Sequence, residues 1–143
     1  MSLHYLMYAS RLTVPMGFEA LNSLLQVSQH NNEYAQITGF LHIENEIALQ
    51  YLEGPADQLH QTVDRIRKDD RHTEFSILAE GTLQRRHFDN WKMALVENTT
   101  LSLFDLMGTQ TRAIRDVAKA HPLDLISFLS ANASFLRHQP SVA

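Results

Sequence analysis

The chain contains no cysteine, which removes disulfides, thiolate nucleophiles and cysteine-ligated metals from consideration. Glycine and proline are scarce, five and four residues respectively, and no glycine-rich loop of the kind that cradles a phosphate is present. No Ser-His-Asp arrangement is visible. No apolar stretch is long enough to span a bilayer. The start Met1-Ser2-Leu3-His4-Tyr5 lacks the basic segment and apolar run of a secretory signal. There is no excess of basic charge: 12 Lys and Arg against 16 Asp and Glu give a formal charge of −4, which argues against a nucleic-acid surface. Internal repeats, low-complexity tracts and charged tails are also missing. What remains is a chain of 143 residues, 44% hydrophobic and 20% charged, a composition that predicts one soluble, cytoplasmic globular domain with a small appendage.

Periodicity organises the chain. Leu3 to Tyr8 alternates as a strand does. Thr13-Val14-Pro15 reads as a helix start, with Thr13 as its cap. Phe18, Leu21, Leu24, Leu25 and Ser28 then share one helical face, ending near Gln29-His30-Asn31-Asn32. Ile37 to Ile43 and Ile47 to Leu52 read as a hairpin joined at Asn45-Glu46. Gly54-Pro55 opens a second helix, with Pro at its first position and Leu59, Val63 and Ile66 as its core stripe. Phe75 to Glu80 and Phe88 to Val96 supply two further strands. The order β-α-β-β-α-β-β is that of an α+β, ferredoxin-like sheet with two helices on one face. Beyond Val96, Leu103, Leu106, Met107, Ile114 and Val117 suggest a helix interrupted at Gly108. His121-Pro122 breaks it, and Leu125, Ile126, Leu129 and Leu136 suggest another. The expected division is a core over residues 1–96 and a C-terminal helical extension over 97–143, packed on the other face of the sheet.

One residue is out of place in this pattern. Gln50 lies in Ala48-Leu49-Gln50-Tyr51-Leu52-Glu53-Gly54, a run that otherwise reads as buried strand. A primary amide there must find partners, because an unpaired buried polar group costs roughly 1–3 kcal/mol. The Tyr8 phenol and the Asn31 and Asn32 amides suit it, or suit a flat heterocycle held between them. Taken singly, each has an ordinary explanation: Tyr8 as a core tyrosine, Gln50 as an edge-strand residue, one Asn as a helix C-terminus. Two adjacent Asn residues offer donor and acceptor side by side, which matches an imide-like ring edge. Arg65 and Asp69 are four apart on the second helix and share a face. They read either as an exposed ion pair or as an Arg65 reaching the mouth of a slot between the helices. The eight His residues are scattered, and His42-Ile43-Glu44 and His72-Thr73-Glu74 lack metal-site spacing, so solvated or capping roles are expected and no metal is assigned.

Together these segments resemble the BLUF domains, blue-light sensors that use FAD. The resemblance covers about residues 1–95. It rests on Leu6-Met7-Tyr8-Ala9-Ser10, Asn31-Asn32 with Ile37-Thr38-Gly39, Gln50-Tyr51-Leu52-Glu53-Gly54, Arg65 with Asp69-Asp70-Arg71-His72, and Phe88-Asp89-Asn90-Trp91-Lys92-Met93. It implies that residues 1–96 bind FAD and that Tyr8 donates an electron to the excited flavin. Gln50 then bridges that tyrosine to the flavin N5/C4=O edge. Asn32 matches the amide at the C4=O and N3–H edge, and Asn31 a neighbouring polar contact. Arg65 and Asp69 match contacts to the pyrimidine edge and the ribityl side. Leu24, Leu25 and Ile66 would wall the ring, and His72 would lie near the ribityl phosphate. Trp91 and Met93 match strand positions that exchange places near the glutamine, beside Ser28.

The implied function is a photoreceptor rather than an enzyme. Its output would be conformational, passed through the C-terminal helices to a downstream signalling protein, with the chain as a homo-oligomer and without nucleic acid or membrane. Two other functions fit the same topology, since fold alone does not choose. One is a non-photochemical flavin- or nucleotide-binding regulatory module. The other is an acylphosphatase-like hydrolase, for which Ser10-Arg11-Leu12-Thr13 offers an Arg but no glycine cradle.

Overall fold

The computed structural model describes residues 3–13, 36–44, 46–88, 91–95, 102–103 and 114–137; for His72 and residues 91–95, 114–116 and 132–137 it describes the backbone. The elements are β1 (Leu3–Leu12), β2 (Thr38–Glu44), β3 (Ile47–Pro55), α1 (Ala56–Lys68), β4 (His72–Leu83), β5 (Trp91–Leu95), α2 (Ile114–Lys119) and α3 (Pro122–Arg137). The helix expected between β1 and β2 lies outside the described residues.

The strands form one sheet in the order β4-β1-β3-β2-β5. Its first four strands pair antiparallel, the ferredoxin-like arrangement that the element order predicts. β5 adds to the outer side of β2 in parallel. β3 is therefore central and β2 interior, so Gln50 is not an edge residue.

Alternation along the strands divides the core into two layers. Leu6, Tyr8, Leu41, Ile43, Ala48 and Leu52 face one way and pack with Leu59 and Val63 of α1. Met7, Ala9, Phe40, Leu49 and Tyr51 face the other way and pack with Val117 of α2 and Leu125, Phe128 and Leu129 of α3. The C-terminal helices thus cover the sheet face opposite α1. The helix break expected at His121-Pro122 separates α2 from α3, and His121 Nδ1 accepts from the Leu123 N–H at 3.1 Å, supplying one of the acceptors that a helix start needs.

Two features differ from expectation at α1. Pro55 is its N-cap rather than its first helical residue. The helix stops at Lys68, and Asp69 is already extended, with φ −73° and ψ 124°. Asp69 is therefore beyond the helix on which the i, i+4 pairing with Arg65 was expected.

Two glycines are required by close approach. A Cβ on Gly39 would lie 1.9 Å from the Tyr51 carbonyl oxygen. One on Gly54 would meet Ile37 Cδ1 at 2.7 Å and the Gln36 oxygen at 2.9 Å. Both belong to the quoted motifs, and both let the start of β2 press against the end of β3.

Candidate functional site

Tyr8 and Gln50 are opposite each other in the β1–β3 ladder, and both are buried. The Tyr8 hydroxyl donates to Gln50 Oε1. The buried amide that the sequence left without a partner thus finds the phenol it needs. Burial, with the nearby Asp69 carboxylate adding to it, pushes the Tyr8 phenol well above its ordinary pKa. The hydroxyl is consequently a firm donor in the resting state and does not ionise near neutral pH.

The same rung continues outward. Leu41 of β2 is opposite Gln50, and Met93 of β5 is opposite Leu41. Trp91 takes its place two residues earlier in β5, opposite Gly39.

Of the residues expected around this pair, Ile66 packs half-buried against the cluster that contains Tyr8. Arg65 is exposed, with Nη2 3.4 Å from the Thr62 hydroxyl. Asp69 does not pair with Arg65 but accepts from the backbone and side chain of Arg71, each at 3.0 Å. His72 opens β4 opposite Leu12. Leu24, Leu25, Ser28, Asn31 and Asn32 lie outside the described residues. Thr13 hydrogen-bonds to the Asp70 carbonyl at 3.0 Å, tying the end of β1 to the turn before β4.

The arrangement fits a flat, hydrogen-bonding heterocycle on the α1 side of the sheet. Among the described residues, the only hydrogen bond of the Gln50 side chain is the one it accepts from Tyr8. Both hydrogens of its amide nitrogen remain for a ligand. The surrounding Leu41, Leu59, Val63 and Ile66 side chains are apolar, as a planar ring system requires. Arg11, the cation a phosphate cradle would need, is engaged by Glu74 at 2.7 Å and Glu46 at 3.3 Å.

His42 and Glu44 are not solvated, contrary to the expectation from sequence. They are 0% and 2% exposed, because β2 is interior and its other face is covered by the C-terminal segment. His42 Nε2 lies 3.0 Å from Glu44 Oε1. The carboxylate also accepts from the Ser102 hydroxyl at 2.6 Å and the Leu103 N–H at 2.7 Å. Burial alone would raise the pKa of Glu44; the hydrogen bonds from His42, Ser102 and Leu103 outweigh it and hold the group at about 2. The ring of Phe128 meets His42 edge-on at 4.9 Å, and the buried His42 Nδ1 has no hydrogen-bond partner among the described residues. Among the described residues no cluster of His, Asp and Glu has the makings of a metal site.

Glu53 and Arg86 were not singled out from sequence. The buried Glu53 carboxylate accepts from Tyr51 at 3.1 Å, from the His87 N–H at 3.0 Å and from the Phe88 N–H at 2.6 Å. Burial and Glu53 together raise the Tyr51 phenol pKa. Arg86 donates to the Thr38 hydroxyl at 2.7 Å and the Gln36 carbonyl at 2.8 Å. These contacts fix the segment that leads into β5. A charged residue in the buried run Gln50–Gly54 was the signal available for Glu53; nothing local marks Arg86.

A β-strand pair carrying a buried Tyr–Gln hydrogen bond beneath one helix, with a second helical layer behind, defines a small α+β domain of ferredoxin-like topology. The sequence matches the BLUF family, sensors of blue light using FAD, over residues 3–94, and the chain belongs to that family. It is 28% identical over 131 residues to the photoactivated adenylate cyclase subunit beta of Euglena gracilis, covering 88% of this chain and 15% of that protein. A bacterial light-regulated adenylyl cyclase superposes with a TM-score of 0.71 at 26% identity, over 91% of this chain and 40% of that one. The dark-state structure of the BLUF protein BlrB superposes with a TM-score of 0.72 at 23% identity, over 91% of this chain and 96% of that one. The chain spans only about 15% of the length of the curated relatives it matches. Among the described residues no helix is long and apolar enough to cross a membrane.

Proposed function

We propose that this chain converts absorption of blue light into a rearranged hydrogen bond at Gln50, and passes that change to its C-terminal helices. The observation that carries the reading is the buried Tyr8–Gln50 hydrogen bond, in a chain of the blue-light sensor family.

FAD, when bound, supplies the blue absorption and the oxidising power that withdraws one electron from the Tyr8 phenol. A phenol yields that electron more readily when its proton can leave with it. Gln50 is placed to take the proton, since Oε1 accepts the Tyr8 hydroxyl while the amide nitrogen holds hydrogens for the far side. When the electron and proton return to Tyr8, the Gln50 amide is left presenting its other face, rotated or tautomerised. Its altered donor would then strengthen a hydrogen bond from Gln50 to a bound flavin, which would lower the absorption energy and shift the band to the red. No substrate is turned over, so the output is conformational. Gln50, Ile66, Arg65 and Asp69, with Leu24, Leu25, Asn31, Asn32 and His72, are the residues proposed to hold the cofactor. Ser28, Trp91 and Met93 are proposed to respond to Gln50.

Residues 97–143 are the proposed output element. The support is the register Gln50–Leu41–Met93 together with the next β2 residue, His42, which joins Glu44, Ser102, Leu103 and Phe128 on the opposite face. A displacement of β2 or β5 acts directly on those contacts. The relatives named above as cyclases support a downstream signalling partner; assembly of the chain as a homo-oligomer and a cytoplasmic location are further parts of the proposal.

Purified protein supplied with FAD should be yellow, and blue light should shift its flavin band reversibly to the red. Colourless protein, or a band that light does not move, rejects the reading.

A further inference from the structure

β4 departs from regular pairing beside Tyr8. Ser76 is opposite Ala9 and Thr73 is opposite Arg11, so Glu74 and Phe75 together face the single residue Ser10. Glu74 has a φ of 53°, a left-handed conformation that a residue with a side chain adopts only at a cost. Its carboxylate is held by Arg11 Nε at 2.7 Å, and Arg11 is anchored in turn on Glu46. A bulge of this kind re-aims the neighbouring side chain. Here that side chain is Phe75, whose half-buried ring stacks on Tyr8 with centroids 4.5 Å apart and planes 24° apart. Arg67 covers Phe75, its guanidinium carbon 5.2 Å from the ring centroid. A stack of Arg67, Phe75 and Tyr8 therefore runs from the exposed side of α1 to the buried phenol.

We propose that Phe75 is a positioning residue for the photoreaction: its ring, seated by the Glu74 bulge, fixes the plane of the Tyr8 phenol and so the direction of its hydroxyl toward Gln50. The proposal rests on the reading of Tyr8 as electron and proton donor. A phenolic hydrogen lies near the ring plane, and hydrogen bonds weaken steeply as they bend. Rocking of the Tyr8 ring would thus uncouple the proton from the electron. An offset-stacked aromatic partner resists that rocking, and the cation over its outer face holds the partner in turn. An aliphatic side chain would fill the same space without fixing a plane.

The test is Phe75→Leu, which keeps an apolar side chain and removes the ring, compared with Phe75→Tyr, which keeps the ring. With FAD supplied, F75L should bind flavin as the unsubstituted protein does and still shift to the red. Its quantum yield of photoconversion should fall roughly threefold or more, with the yield restored in F75Y. A merely structural role would lower the thermal midpoint and leave the yield per bound flavin unchanged; that result overturns the proposal. If F75L fails to hold flavin, Glu74→Gly takes its place: it accepts the left-handed backbone and removes only the Arg11 tether. A lowered yield in E74G supports the proposal and an unchanged one overturns it. A flavin-bound unsubstituted protein without any light-induced shift overturns the functional reading and this proposal together, whereas F75L with full yield overturns this proposal alone.

Discussion

Tyr8 and Gln50 face each other across the β1–β3 ladder, and the phenol of one donates to the amide oxygen of the other. Each explains the other's burial. The hydroxyl needs an acceptor inside the sheet, and the amide needs a donor. The pair then leaves the Gln50 nitrogen for a ligand.

Replacing Tyr8 by Phe removes the donor and leaves the apolar ring in place. Y8F should retain bound flavin and lose the light-induced red shift. A light-minus-dark absorption spectrum reads this directly, and a normal shift would sink the assignment of Tyr8.

Gln50→Leu should remove the red shift and leave the buried Tyr8 hydroxyl without its acceptor, at a cost of about 1–3 kcal/mol. In the Y8F/Q50L double variant that penalty largely disappears, because the hydroxyl that donated to Gln50 is removed together with its acceptor. Urea unfolding of the two single variants and the double variant gives the coupling. Strict additivity would mean that the two side chains do not interact in solution.

Glu44 gives a pH dependence of definite sign. Its folded pKa, about 2, lies below the ordinary carboxylate value of 4.5, so folding favours the ionised form. The stabilisation is complete above the ordinary value, declines as pH falls through the window from 4.5 to about 2, and is gone below it. Glu44→Gln should be less stable than the unsubstituted protein at neutral pH, with the difference shrinking across that window. Thermal midpoints at a series of pH values test it; a gap that does not change with pH would be inconsistent with an ionised Glu44.

Glu53→Gln keeps the shape of the side chain but turns one acceptor into a donor facing an N–H. With three hydrogen bonds converging on the carboxylate, the variant should lose about 1–3 kcal/mol. Amide hydrogen exchange at His87 and Phe88 should rise by more than at β1. Unchanged protection there would show that other contacts fix the approach to β5.

Gly39→Ala tests the close approach of β2 to β3. Its Cβ would meet a backbone carbonyl, which cannot yield as a side chain does, so the loss should be among the larger single-site effects, about 3 kcal/mol or more. A denaturation midpoint near that of the unsubstituted protein would show that the strands can separate at little cost.

The sequence by itself determined the strands, α1, the break at His121-Pro122 and Gln50 as a buried amide in need of a partner, while the register of β1 on β3 decided that the partner is Tyr8. Alternation and helical periodicity are local, and a polar residue in an apolar run announces itself without any knowledge of its neighbours. Tertiary structure decided what surrounds them. The pattern His42-Ile43-Glu44 resembles any half-exposed strand, and only the interior position of β2 beneath the C-terminal segment buries it as a hydrogen-bonded pair. Asp69 was assigned to helix spacing, but the helix ends one residue earlier and its carboxylate turns to Arg71. Phe75 read as the first residue of a strand. It reaches Tyr8 through a bulge whose existence depends on how β4 pairs with β1, a long-range register that no local pattern encodes.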